Sequence, residues 1–164
     1  MIFVSVGTNE ARFDRLLRAV ADLPTGEERL VQHGHSNALP GVGVELVDFL
    51  SFDEMAAAIR RARAFVTHAG VGSVLVALAN GKRPIVVPRR KAFGEAVDDH
   101  QLQLGRRFAA AGLVTLVEEP EGLENALANG EHHATVTPTA GALAADLRDY
   151  MTAAVGHAAV PARA

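Results

Sequence analysis

Two stretches of this sequence concentrate the residue types that can do chemistry. The first is His68-Ala69-Gly70-Val71-Gly72-Ser73, which follows the apolar run Ala64-Phe65-Val66-Thr67 and precedes an Ala/Leu/Val segment ending near Gly81. Glycines there let a backbone come close to a ligand. The unpaired N–H groups and positive dipole end of a helix N-terminus suit a diphosphate. Ser73 can cap such a helix or bond a phosphate oxygen, and the plain alternative is a tight strand-to-helix turn with Ser73 as its N-cap. His68 fits either a turn position or a ligand contact. No Gly-Lys-Ser/Thr follows, so the turn is not a Walker A loop, and Leu75 stands where a dinucleotide fingerprint needs its third glycine.

The second stretch, Pro88 to Gln101, holds Arg89, Arg90, Lys91, Glu95, Asp98, Asp99, His100 and Gln101. Carboxylates there can hold ribose or sugar hydroxyls, and the cations can hold phosphates or a sugar carboxylate. The alternative is a solvated loop in which Asp98 or Asp99 caps the next helix. For Arg89 to Lys91, contact with anionic lipid head groups is a further option. A third, smaller feature is Val6-Gly7-Thr8-Asn9, a small-residue turn whose backbone can face a ligand or simply reverse the chain.

Other constellations carry less. His33 and His35 lie two residues apart and His132-His133 lies in a polar run, with no carboxylate or third ligand at a telling spacing beside either pair. Neither has the spacing of a metal site. No Asp-x-Asp motif occurs to bridge a metal to a diphosphate, and no Gly-x-Ser-x-Gly elbow occurs to present a nucleophile. Neither metal nor other cofactor is expected.

The elements that must position these groups alternate. Buried strands are expected at Ile2–Val6, Arg29–Gln32, Val44–Val47, Ala64–Thr67, Arg83–Val87 and Leu113–Val117. Between them lie helical patterns at about 11–23, from Ser51 to Ala62, after the glycine turn to Gly81, over 98–111 and over 121–128. Ser51 and Glu54 make a capping box, and Gly81 suits a helix end. A last helix is expected over 140–155, and residues 156–164 read as a frayed tail. Alternation of this kind means α/β: a Rossmann-like, doubly wound parallel sheet of about six strands, in one domain over residues 1–155. Ligands of such sheets bind beyond the carboxyl ends of the strands, where both polar stretches fall.

Composition sets the frame. The chain has 164 residues, 49% of them hydrophobic and 21% charged, with a net charge of −3 and no cysteine. This excludes a disulfide scaffold, an iron–sulfur cluster and a thiolate zinc site, and gives no electrostatic footprint for nucleic acid. The opening residues lack a basic n-region, and no apolar stretch reaches about 18 residues, so neither a signal peptide nor a transmembrane helix is expected.

Taken in order, His68-Ala69-Gly70-Val71-Gly72-Ser73, Gly81-Lys82-Arg83-Pro84-Ile85-Val86-Val87-Pro88 and Asp98-Asp99-His100-Gln101 strongly resemble the donor-binding C-terminal domain of family 28-type GT-B glycosyltransferases. Phe3-Val4-Ser5-Val6-Gly7-Thr8 is similar to the start of free-standing versions of that domain, such as the small subunit of the two-subunit eukaryotic N-acetylglucosaminyltransferase acting on dolichol-linked sugar. The stretch from Val86 to Gln101 looks closest to bacterial exopolysaccharide and capsule glycosyltransferase subunits. The likeness covers residues 1–117 well.

The resemblance implies a UDP-sugar donor. Gly70, Gly72 and Ser73 would face its diphosphate, with His68 beside them. His100 and Gln101, with Asp98 or Asp99, would lie near the donor sugar or ribose, and Arg89 would be a donor contact. Gly7 and Thr8 would line the crevice. Larger relatives often carry a ribose-binding Glu on the helix after the turn; Val76 occupies that position here, so Asp98 or Asp99 is expected to replace it. The general base usually belongs to the N-terminal acceptor domain, leaving His100 as the local candidate. The implied protein is the donor-binding subunit of a split hexosyltransferase. It would be cytoplasmic, reaching the inner face of the membrane through a membrane-anchored partner that brings the lipid-linked acceptor. A non-catalytic nucleotide-sugar sensor is the alternative.

Overall fold

The computed structural model of the protein describes residues 1–129 and 132–133; the expected helix over 140–155 and the tail at 156–164 lie outside the described residues. In chain order the elements are β1 (Ile2–Ser5), α1 (Asp14–Ala21), β2 (Arg29–Gln32), β3 (Val44–Val47), α2 (Phe52–Arg61), β4 (Ala64–Thr67), α3 (Val71–Ala79), β5 (Ile85–Val86), α4 (His100–Ala110), β6 (Thr115–Leu116) and α5 (Leu123–Asn129). Two 3-10 turns, Lys91–Phe93 and Pro120–Gly122, precede α4 and α5.

All six strands are parallel, in the order β3-β2-β1-β4-β5-β6. The chain runs outward from β1 in one direction, then crosses back to β4 and runs outward in the other. The switch point therefore lies between β1 and β4, where the loops that follow the two strands diverge and leave a crevice.

Strand alternation divides the core. Ile2, Val4, Val31, Val66, Ile85 and Val87 face Leu16, Leu17 and Val20 of α1 and Leu123 and Leu127 of α5. Phe3, Leu30 and Phe65 face the opposite way, toward Ala58 and Ile59 of α2 and Ala77 of α3. There Phe3 and Phe65 stack across β1 and β4 with ring centres 5.0 Å apart. A third cluster seats Val74 and Leu78 of α3 and Leu104 and Phe108 of α4 over Val86. Strands buried on both faces need the near-continuous apolar runs this sequence supplies.

Local signals explain most boundaries. Ser51 and Glu54 form the expected capping box: Glu54 N–H donates to Ser51 Oγ (3.3 Å), and Ser51 N–H to the Glu54 carboxylate (2.8 Å). α3 ends in a Schellman motif, with Lys82 N–H bonded to Ala77 O and Gly81, at φ +71°, bonded to Leu78 O. The starts of α1, α3 and α4 depart from the sequence reading. α1 begins at Asp14, because Phe13 N–H is held by Ser36 Oγ (2.8 Å) and the preceding residues form a loop. α3 begins at Val71 with Gly70 as its N-cap, so Ser73 sits inside the first turn and does not cap the helix. α4 begins at His100, because Asp98 and Asp99 both turn their carboxylates onto local backbone N–H groups.

Candidate functional site

A crevice of about 240 Å³ opens at the carboxyl ends of β1, β2 and β4. Of the residues expected to bind a donor, Gly7, Thr8, His68, Gly70, Gly72 and Ser73 line it. The structure adds Ser5 and Gln32 on its floor and Phe49, Leu50 and Met55 on its apolar wall. A polar residue within a short apolar strand was the available signal for Ser5 and Gln32; nothing in the sequence marked the wall.

His68 is central. A Cβ on Gly7 would stand 2.5 Å from its Cε1, and a Cβ on Gly70 would fall against Nε2, so the ring fills the space both glycines leave. Burial, with a smaller contribution from the positive charge of Arg89, pushes its pKa down to about 4. The imidazole is therefore neutral at pH 7, and what it can offer a ligand is a hydrogen bond. Its Nδ1 lies 3.2 Å from Thr67 Oγ1, which is also 3.1 Å from Ser5 O. That hydroxyl carries one proton. Given to Ser5 O, it makes the hydroxyl an acceptor for Nδ1–H and leaves Nε2 a lone pair. Turned to Nδ1, it leaves the proton on Nε2, which becomes a donor. The neutral ring can meet either a hydroxyl or a phosphate oxygen.

Gly7 adopts φ +79°, a conformation that favours glycine. Its peptide groups are fixed by Gln32: Gly7 N–H donates to Gln32 Oε1 (3.2 Å), and Gln32 Nε2 donates to Gly7 O (3.1 Å). Gln32 also accepts from Ser5 Oγ (2.7 Å) and donates to Asp48 O (2.9 Å), so both ends of this buried amide are used. Across the crevice, the first backbone bond of α3 is Val74 N–H to Gly70 O, which leaves the N–H groups of Val71, Gly72 and Ser73 without an intrahelical acceptor. Nothing stands within 4 Å of where a Cβ on Gly72 would be.

The second predicted group does not line this crevice. Arg89 is fully buried, correcting the expectation of a cation that meets the ligand directly. Its guanidinium donates to the carbonyls of Val6 (2.9 Å), Ala11 (2.7 Å), Arg12 (3.3 Å) and Glu95 (3.2 Å). Gln101 Oε1 accepts from Arg89 N–H (3.2 Å). Asp99 accepts from Lys91 N–H (3.0 Å). Asp98 holds both the backbone N–H (3.0 Å) and Nδ1 (2.7 Å) of His100, leaving that ring's Nε2 directed away from the pair. The basic run also dissolves: Arg90 pairs with Glu119 (2.9 Å), which leaves Lys91 as its exposed cation. Val76 packs against the Phe3/Phe65 cluster. His33 pairs with Asp48 (2.9 Å), and His35 meets the edge of Phe49. Among the described residues no cluster of three or more potential metal ligands forms.

A parallel six-stranded sheet in this order, with its crevice at the β1/β4 switch, is the Rossmann-like architecture of GT-B glycosyltransferase C-terminal domains. The fold is shared with the glycotransferase of kitacinnamycin (TM-score 0.57, 21% identity, 93% of this chain and 38% of that one). It is shared also with the calicheamicin glycosyltransferase CalG4 (TM-score 0.55, 20% identity, 97% and 43%). The chain belongs to the glycosyltransferase family 28 C-terminal domain family, whose model matches residues 1–151. It is 34% identical over 111 residues to UDP-N-acetylglucosamine--N-acetylmuramyl-(pentapeptide) pyrophosphoryl-undecaprenol N-acetylglucosamine transferase of Alkalilimnicola ehrlichii, covering 68% of this chain and 29% of that protein. It is 38% identical over 65 residues to UDP-N-acetylglucosamine transferase subunit ALG13 of Yarrowia lipolytica, covering 40% and 31%. The matched stretches thus span under a third of either relative. No helix among the described residues is long and apolar enough to cross a membrane.

Proposed function

We propose that this chain is the donor-binding subunit of a split glycosyltransferase that moves a hexosyl group from a UDP-sugar to a lipid-linked acceptor in polysaccharide assembly. One observation carries the reading: the open first turn of α3 and the neutral imidazole of His68 share one crevice at the switch point. In sugar transfer the bond from the anomeric carbon to the diphosphate oxygen breaks, and the acceptor oxygen bonds that carbon. The departing diphosphate takes the electron pair, and a base takes the acceptor's proton. This chain contributes to stabilising the leaving group. Backbone N–H groups at Gly72 and Ser73, the α3 dipole and His68 converge on it. The wall of Phe49, Leu50 and Met55 offers a flat apolar surface to a nucleobase. With these donors facing the diphosphate, the reading calls for no metal, and EDTA should leave donor affinity unchanged.

The names of two relatives support the rest. One acts on a pyrophosphoryl-undecaprenol substrate, and the other is called a transferase subunit. A membrane-anchored partner would bring the lipid-linked acceptor and the general base to the inner face of the membrane, where this chain acts from the cytoplasm. His100, oriented by Asp98, and Gln101 stand at the start of α4, where they would meet the donor sugar as that partner closes.

The test is reconstitution with the product of an adjacent open reading frame that encodes one N-terminal membrane helix. UDP should bind this chain alone, and sugar transfer should need both proteins. Transfer by this chain without the partner overturns the split. UDP-sugar binding without turnover in either condition favours a sensor.

A further inference from the structure

We propose that Arg89 is a positioning residue for the crevice: from beneath, its buried guanidinium ties the loop after β1 to the loop after β5 and so holds Gly7 over the His68 ring. The inference rests on the donor-crevice reading above. Three observations carry it.

The first is where the donors go. Nη2 takes Val6 O, the carbonyl of the peptide that ends in Gly7 N, while Nη1 takes Ala11 O, Arg12 O and Glu95 O. The Val6–Gly7 peptide is therefore gripped from both sides, its carbonyl by Arg89 and its N–H by Gln32 and Ser5. The second is how the cation is held. Its guanidinium lies over the buried Phe13 ring at 4.7 Å, while the Glu95 carboxylate is engaged by Arg15 and by Arg90 N–H. A buried guanidinium solvated mainly by carbonyls is a costly way to fill space, and its fork geometry suits several acceptors at once. The third is its neighbour. The positive charge acts on His68 from behind the crevice, whose lining residues are uncharged; Glu95, with Arg15 and Arg90 bonded to its carboxylate, supplies the charged groups beside Arg89 itself.

Lys and Met substitutions separate geometry from charge. In Arg89→Lys the charge stays but the fork is lost. UDP affinity measured by calorimetry should fall about tenfold, the effect of losing roughly 1.4 kcal/mol of preorganisation, while the His68 ring, followed by NMR, still titrates near its native value. In Arg89→Met, UDP binding should weaken and the His68 titration should also move up toward the ordinary histidine range. Native UDP affinity in both folded variants overturns the proposal. If neither folds, the wild-type protein decides: Arg89 Nη protons resolved and protected from exchange, with rigid Gly7 and Thr8 amides, support the clamp. Averaged Nη signals with a mobile loop from Gly7 to Arg12 overturn it. If wild-type protein fails to bind UDP, the donor reading falls, whereas those signals still report on Arg89.

Discussion

The imidazole of His68 occupies the space that a side chain on Gly70 would need. The two glycines of the turn consequently do different work. Gly70 makes room for a neighbouring side chain of the protein, while Gly72 faces open space at the first turn of α3, where only a ligand would meet its Cβ.

Alanine at these two positions should therefore give opposite profiles. Gly70→Ala forces the His68 ring to move and should cost about 1–3 kcal/mol of stability, as overpacking does. Gly72→Ala should leave stability within about 0.5 kcal/mol, yet weaken UDP binding, because the methyl stands where the diphosphate approaches. Thermal unfolding and calorimetric titration of the two variants check the pair.

The neutral His68 sets a pH dependence. Its folded pKa of about 4 lies below the ordinary value of 6.5, so between those values the unfolded chain binds more protons than the folded one. Stability should fall as pH drops from 6.5 toward 4, by at most about 3 kcal/mol from this group. His68→Asn should flatten that part of the curve in denaturant titrations. An unchanged slope would assign the acid sensitivity elsewhere.

Gln32 uses both ends of its buried amide. Gln32→Glu removes the donors to Gly7 O and Asp48 O, and should cost about 2–4 kcal/mol from unsatisfied buried groups. Because the same amide sets the Gly7 peptide, UDP affinity should fall too. Denaturant midpoints and UDP titration read the two effects.

Glu95 is buried and receives two hydrogen bonds from Arg15 (3.0 and 2.9 Å) and one from Arg90 N–H (3.0 Å). Glu95→Ala leaves Arg15 without this partner and should destabilise by about 3 kcal/mol. The loop after β5 would loosen, and proteolysis near Phe93, already half-exposed, should accelerate.

Much of the fold is legible along the chain because its signals are local. β2, β3 and β4 fall on their expected residues, and Ser51 with Glu54 caps α2, since apolar runs and capping boxes act over a few residues. β5 and β6 are shorter than their apolar runs, two paired residues each, because pairing depends on where a neighbour's register ends. The glycine turn after β4 marks His68, Gly70, Gly72 and Ser73, the turn after β1 with the family resemblance marks Gly7 and Thr8, and the fold gathers all six around one crevice.

By itself, the sequence determined an alternating α/β chain with a glycine turn opening α3 and polar residues after β5. These follow from propensity, periodicity and capping, which neighbouring residues decide. Tertiary structure decided which polar side chains face a ligand and which brace the scaffold. Arg89 reads along the chain as one of three adjacent cations, but the fold buries it under carbonyls from residues 6, 11 and 12. Gln32, 25 residues from Gly7, becomes the amide that sets the crevice floor. A charged or amide group's role depends on which acceptors come within about 3 Å, and residues distant in sequence supply them only once the sheet has assembled.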